Sequence, residues 1–135
     1  MKTRILLVDD HDIFREAIKG LINDKKDMTV TAEAKNGRDA YQLVCANEFD
    51  LVIFDIGLQA RNGFGIIHQM KSRKPYLPVL ICSLLPEEYF GPAAIRAGAS
   101  GYVMKDRMPN DIVCAIRQVA TGGIYFGNGN QFSVP

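Results

Sequence analysis

Three aspartates, a serine and a lysine stand at the ends of short apolar runs. Ile5-Leu6-Leu7-Val8 stops at Asp9 and Asp10, and Leu51-Val52-Ile53-Phe54 stops at Asp55. Pro78-Val79-Leu80-Ile81-Cys82 stops at Ser83, and Tyr102-Val103-Met104 stops at Lys105. Carboxylates brought within a few ångströms of one another repel, and a cation placed among their oxygens removes that cost. Hard oxygen donors on a shallow, open loop favour Mg²⁺, which keeps several of its waters. One Mg²⁺ together with the Lys105 ammonium would neutralise the three carboxylates. An arriving phosphoryl group would then find a metal, an ammonium and a hydroxyl aimed at its oxygens. Phosphoryl transfer needs little more, because its catalysis is mostly positioning and charge stabilisation. Asp55 ends the central run, faces a glycine-rich loop from Gly57 to Gly63, and is the natural nucleophile.

These residues converge only if the runs are neighbouring parallel strands, and the intervening sequence says that they are. The four runs are continuous and apolar, as strands buried on both faces should be. Met28-Thr29-Val30-Thr31-Ala32-Glu33-Ala34 reads as a further strand of partly alternating polarity. Helical spacing lies between them. Ile13, Phe14, Ala17, Ile18, Leu21 and Ile22 fall on one stripe. Ala40, Leu43, Val44 and Cys45 form the inner face of a second helix. Phe64, Ile66, Ile67 and Met70 belong to a third, stopping near Lys74-Pro75. Pro86-Glu87-Glu88 opens a fourth, with acids in its first turn. Ile112, Val113, Ile116 and Val119 mark the last, which Gly122-Gly123 ends. Five β-α repeats imply an α/β, doubly wound, flavodoxin-like (βα)5 fold: a five-stranded parallel sheet in the order 2-1-3-4-5. Ligands of such sheets bind at the carboxyl ends of strands 1 and 3.

Composition narrows the function classes. With 16 basic and 15 acidic residues the net charge is +1, so no strong basic field points this segment toward nucleic acid or a membrane. The three cysteines, Cys45, Cys82 and Cys114, are odd in number and far apart; reduced, mostly buried thiols are expected rather than a disulfide or zinc framework. Met-Lys-Thr-Arg precedes only four apolar residues, too few for a signal peptide, and no run is long enough to span a bilayer. The expected location is cytoplasmic. The chain reads as one domain over residues 1–123, with Asn128-Gly129-Asn130-Gln131 inside a linker over 124–135.

Four segments carry a resemblance. Leu-Leu-Val-Asp-Asp-His (6–11), Val-Ile-Phe-Asp-Ile-Gly-Leu (52–58), Ile-Cys-Ser (81–83) and Gly-Ala-Ser-Gly-Tyr-Val-Met-Lys-Asp (98–106) resemble the receiver domain of bacterial two-component response regulators. Asp-Ile-Gly-Leu after the strand, and Lys-Asp where many receivers have Lys-Pro, are similar to the NarL/FixJ (LuxR-type) subfamily. The resemblance spans roughly residues 3 to 122. It implies that Asp55 is the phosphoacceptor and that Asp10, Asp55 and the Gly57 carbonyl ligate Mg²⁺ directly, with Asp9 acting largely through water. It implies that Lys105 contacts the phosphoryl group, that Ser83 is the switch hydroxyl, and that Tyr102 is the aromatic that follows it. The implied donor is a phosphohistidine on a sensor histidine kinase. The implied protein is a regulatory phosphoacceptor rather than an enzyme, catalysing only its own phosphotransfer and slow autodephosphorylation. The subfamily places a helix-turn-helix DNA-binding output domain after the receiver. That domain is expected beyond Pro135, and homodimerisation stays open. Gln59, Ala60 and Arg61 depart from the pattern where the family usually has proline, which would stiffen the loop.

Plainer readings exist for each residue. Asp9 and Asp10 could cap the first helix. Lys105 could be a surface lysine, Ser83 a turn hydroxyl before Pro86, and Tyr102 a core aromatic. His11 reads as a helix-start residue rather than a ligand, and His68 as exposed. Gly63-Phe64-Gly65 begins like a dinucleotide fingerprint but follows strand 3 and has histidine at position 68. A Mg²⁺-dependent aspartyl-phosphate hydrolase would carry a second acid two residues after the nucleophile, where this chain has Gly57. A flavin carrier of the same topology would need hydroxyls rather than Asp9-Asp10 after strand 1. A pseudo-receiver, an interaction module never phosphorylated, remains the alternative. The joint presence of the acids and Lys105 favours the phosphoacceptor.

Overall fold

A computed structural model describes residues 2–57, 60–109 and 111–127, with residues 60 and 61 in backbone only. Strands β1 (Thr3–Val8), β2 (Met28–Ala34), β3 (Leu51–Asp55), β4 (Val79–Ser83) and β5 (Gly101–Met104) form one parallel sheet in the order β2-β1-β3-β4-β5. Helices α1 (Asp12–Asn23), α2 (Gly37–Ala46), α3 (Ala60–Arg73), α4 (Glu87–Ala97) and α5 (Ile112–Ala120) connect and follow the strands. This is the expected doubly wound arrangement.

Alternate residues of each strand serve opposite layers. Leu6, Val8, Val52, Phe54, Val79, Ile81 and Tyr102 face α2, α3 and α4, where Val44, Ile67, Met70 and Ala94 complete the core. Ile5, Leu7, Leu51, Ile53, Leu80, Cys82 and Val103 face α1 and α5, against Ile18, Ile22, Ile116 and Val119. No helix among the described residues is long and apolar enough to cross a membrane.

Four expectations shift. On α1, Ile13 and Ala17 are exposed while Arg15 is buried, so the real stripe is narrower and includes a charge. The ion partners of Arg15 on β2 explain this, and spacing alone does not reveal them. Helix α3 begins at Ala60, so Gly63 lies inside it rather than in a loop. A side chain at Gly63 would collide with the Ile56 side chain; the glycine permits close helix packing. Of the thiols, only Cys82 is buried; Cys45 is half-buried and Cys114 exposed.

The fourth shift concerns the carboxyl end. Residues 124–127 do not leave the domain at Gly123. Tyr125 forms a parallel bridge with Gly101, donating its N–H to the Ser100 carbonyl at 2.9 Å and accepting from the Tyr102 N–H at 2.8 Å. Phe126 is buried beside Tyr102, and the Gly127 N–H donates to the Glu87 carboxylate at the start of α4. A Cβ on Gly101 would approach Leu80 Cδ1 to 2.7 Å and the Tyr125 carbonyl to 3.0 Å, so glycine is what lets this strap lie against β5. Residues 128–135 lie outside the described residues.

Candidate functional site

Connections from β1 and β3 leave toward opposite faces of the sheet, which opens a cleft above their carboxyl ends. Val8 pairs with Phe54, so the next residues, Asp9 and Asp55, emerge side by side at the rim. Asp10 follows on the turn into α1, Ser83 comes from the end of β4, and Lys105 follows β5. Asp9, Asp10, Asp55, Gly57, Ser83 and Lys105 line one cleft of ≈ 810 Å³.

The charges are close. Lys105 Nζ lies 2.9 Å from Asp55 Oδ1 and 3.8 Å from Asp9 Oδ2. The ammonium also sits 4.2 Å from the centroid of the Phe14 ring, a cation–π contact that fixes the lysine from the α1 side. Asp9 is buried, and its Oδ1 accepts the His11 backbone N–H at 2.8 Å. His11 occupies the N-cap position of α1 without capping it by its side chain. Instead its Nδ1 stands 3.0 Å from Asp10 Oδ1, 3.4 Å from Asp9 Oδ1 and 3.9 Å from Asp55 Oδ2. Burial pushes the Asp55 carboxyl up to about 6; the Lys105 ammonium opposes that rise and the Asp9 charge adds to it.

Does this donor set fit a hard divalent cation? Oxygen or nitrogen atoms of Asp9, Asp10, His11 and Asp55 lie within 4.8 Å of one another. Asp55 Oδ1 is buried and accepts no hydrogen bond of good geometry; the ammonium beside it is a charge contact. A buried carboxylate oxygen with coordination to spare, ringed by further carboxylates at an open cleft, fits Mg²⁺.

Ser83 and Tyr102 form a second, uncharged cluster below the cleft. The Ser83 hydroxyl is fully buried; it donates to the Ile56 carbonyl at 2.7 Å and accepts the Leu85 N–H at 3.0 Å. Tyr102 is also fully buried, and its hydroxyl donates to the Leu85 carbonyl at 2.7 Å. Leu85 thus touches both: its N–H meets Ser83 and its carbonyl meets Tyr102. Burial raises the Tyr102 phenol, and the Ser83 hydroxyl partly offsets it.

The sequence-derived residues therefore fall into two groups that share the β4–α4 connection. Asp9, Asp10, Asp55, Gly57 and Lys105 meet at the cleft, and Ser83 links the cleft to Tyr102. Gln59 lies outside the described residues. Residue types alone did not reveal the His11 imidazole among the acids, the Phe14 ring beside Lys105, or the buried Arg15. For His11 a signal existed, its adjacency to the acid pair. The Phe14 and Arg15 contacts depend on helix–sheet distances. His68 is exposed on α3, as its position predicts.

A family model described as response regulator receiver domain matches residues 5–117. The transcriptional regulatory protein DegU of Brevibacillus brevis is 31% identical over 124 residues, 92% of this chain and 52% of that protein. The nitrate/nitrite response regulator protein NarL of Escherichia coli K12 is 32% identical over 118 residues, 87% of this chain and 55% of that protein. The chain thus spans about half the length of these curated relatives. Among solved structures, a LuxR-family two-component response regulator from Aurantimonas sp. SI85-9A1 superposes with a TM-score of 0.86 at 33% identity, covering 92% of this chain and 89% of that one.

Proposed function

The chain belongs to the response regulator receiver domain family, and from that premise we propose that it is a phosphorylation-dependent switch whose acceptor is Asp55. The family is a signalling domain rather than a conventional enzyme. The observation that carries the reading is the meeting of Asp9, Asp10, Asp55 and Lys105 in one cleft, with the buried Asp55 Oδ1 met by the Lys105 ammonium as a charge contact.

In this reading an Asp55 oxygen forms a new O–P bond with the phosphohistidine of a sensor histidine kinase. The P–N bond breaks, and its electron pair stays on the donor imidazole, which takes up a proton. Asp10, Asp55 and the Gly57 carbonyl would hold Mg²⁺, with Asp9 contributing through water; when bound, the cation neutralises charge on the phosphoryl oxygens. Lys105 moves from the Asp55 carboxylate to a phosphoryl oxygen, a short displacement for a group already in the cleft. Ser83 turns its hydroxyl from the Ile56 carbonyl toward the phosphoryl group, which loosens the hold on Leu85 and through it on Tyr102. A few kcal/mol of differential interaction suffices for such a two-state shift.

Transcriptional control through a further domain is part of the proposal, supported by the name of the DegU relative and by the share of the relatives' length that this chain spans; that the domain is a helix-turn-helix rests on the subfamily resemblance. The test is intact-mass spectrometry after incubation with acetyl phosphate. A single phosphoryl adduct that needs Mg²⁺ supports the switch. Many turnovers of a phosphate monoester would instead mark a hydrolase.

A further inference from the structure

The turn that presents Asp9 and Asp10 must hold two adjacent acids against their mutual repulsion. Asp9 is pinned through its main chain at both ends: its N–H donates to the Ala34 carbonyl at 3.0 Å, and its carbonyl accepts from Arg15 Nη1 at 2.8 Å. Arg15 lies one helical turn after His11, and its own N–H donates to the His11 carbonyl at 2.9 Å. Backbone and side chain of one residue thus grip both flanks of Asp10.

The guanidinium is held in turn. Arg15 Nε donates to Glu33 Oε1 at 2.9 Å and Nη2 to Asp12 Oδ1 at 2.7 Å. Glu33 belongs to β2, directly opposite Leu7 of β1, and is fixed from its other side by Lys19 Nζ at 2.9 Å. Arg15 is 8% exposed, a burial that a charged side chain tolerates only when paired. The planar fork spends three donors in three directions, which lysine cannot reproduce. No part of the phosphoacceptor chemistry described above uses this residue.

We propose that Arg15 is a positioning residue for the Mg²⁺ site: anchored on Glu33, it holds the Asp9 carbonyl so that the Asp9 and Asp10 carboxylates are set for the cation before it arrives. The inference rests on the receiver reading. A merely structural arginine would support the fold and leave metal affinity alone. A merely electrostatic one would repel the cation, so that its removal would tighten binding. A positioning one weakens binding when removed, and outer-shell partners of metal ligands commonly contribute about tenfold or more in affinity.

The test is calorimetric titration of Mg²⁺ into the whole chain, wild type, Arg15→Met and Glu33→Gln, with thermal melts to verify folding. Arg15→Met keeps the length of the stem and removes the donors; its Mg²⁺ dissociation constant is expected to rise about tenfold. Phosphorylation by acetyl phosphate should need correspondingly more Mg²⁺ and recover at saturation, a shift in apparent KM rather than in the maximal rate. Glu33→Gln leaves the arginine but weakens its anchor, and should move affinity less in the same direction. Should Arg15→Met fail to fold, Arg15→Lys, which keeps the charge and loses the planar fork, decides by the same weakening. Unchanged or tighter Mg²⁺ binding in the folded variants overturns the inference. A wild type that binds Mg²⁺ but takes no phosphoryl group overturns the proposed function and leaves the Arg15 inference to the affinities. A wild type that binds no Mg²⁺ overturns both.

Discussion

Lys105 Nζ stands 2.9 Å from Asp55 Oδ1, and this contact ties the end of β5 to the end of β3 across the cleft. The same ammonium lies 3.8 Å from Asp9 Oδ2, so it stands beside both carboxylates. Replacing it with methionine removes the ammonium and keeps most of the stem. Lys105→Met should still bind Mg²⁺, while its maximal rate of phosphorylation by acetyl phosphate falls on the order of a hundredfold. Stopped-flow rates at saturating Mg²⁺ measure this, and a wild-type rate would remove Lys105 from the transfer step.

Asp55 should make stability depend on pH when no metal is present. Its carboxyl sits at about 6 in the fold, against roughly 3.9 in an unfolded chain. The folded state therefore holds this proton more tightly. The stabilisation is fully present below about pH 4 and is lost as pH rises through about 6. In chelator, Asp55→Asn should be more stable than wild type at neutral pH. The gap should shrink as pH falls toward 4 and shrink again when Mg²⁺ is added. Urea titrations across that range decide; a gap that ignores pH would contradict the burial of the charge.

Ser83 should separate modification from its consequence. Ser83→Ala leaves the buried Ile56 carbonyl without its donor and the half-buried Leu85 N–H without its acceptor, a cost of about 1–3 kcal/mol. The adduct on Asp55 should still form. The Tyr102 ring, whose hydroxyl is held by the Leu85 carbonyl, should no longer respond to it. Tyrosine ring resonances with and without acetyl phosphate measure the response; a wild-type shift in the variant would break the proposed link.

The strap at residues 124–127 should be part of the folding unit. Phe126 is buried in the same layer as Tyr102 and Ile81. Phe126→Ala should cost about 3–5 kcal/mol in chemical denaturation while leaving phosphorylation of Asp55 intact. A loss below 1 kcal/mol would mean that the segment rests on the surface.

What the sequence made legible, it did through periodicity. Continuous apolar runs ending in Asp55 or Lys105 state both that a strand is buried on two faces and where it stops. The strand order follows from the alternation with helices. The sites that escaped notice are those where distance, not pattern, decides. Arg15 stands within an apolar stripe, and spacing says nothing of its partner on β2, Glu33. Ile13 fits the stripe and yet faces water at the rim. Ile124 to Gly127 look like a linker because glycines flank them, whereas the bare backbone of Gly101 gives them a place to dock. The His11 side chain is set among the acids by the sharp turn into α1, which residue type does not encode.

The central claim is that Asp55 is the acceptor, and peptide-level tandem mass spectrometry tests it most directly. The whole chain is treated with acetyl phosphate and Mg²⁺, and the acyl phosphate is trapped by borohydride reduction before digestion. The account predicts one modified residue, Asp55, and no adduct in Asp55→Asn. Reduction releases phosphate and leaves the acceptor as homoserine, so homoserine at Asp9, Asp10 or any other residue in the wild type, or anywhere in Asp55→Asn, would contradict it.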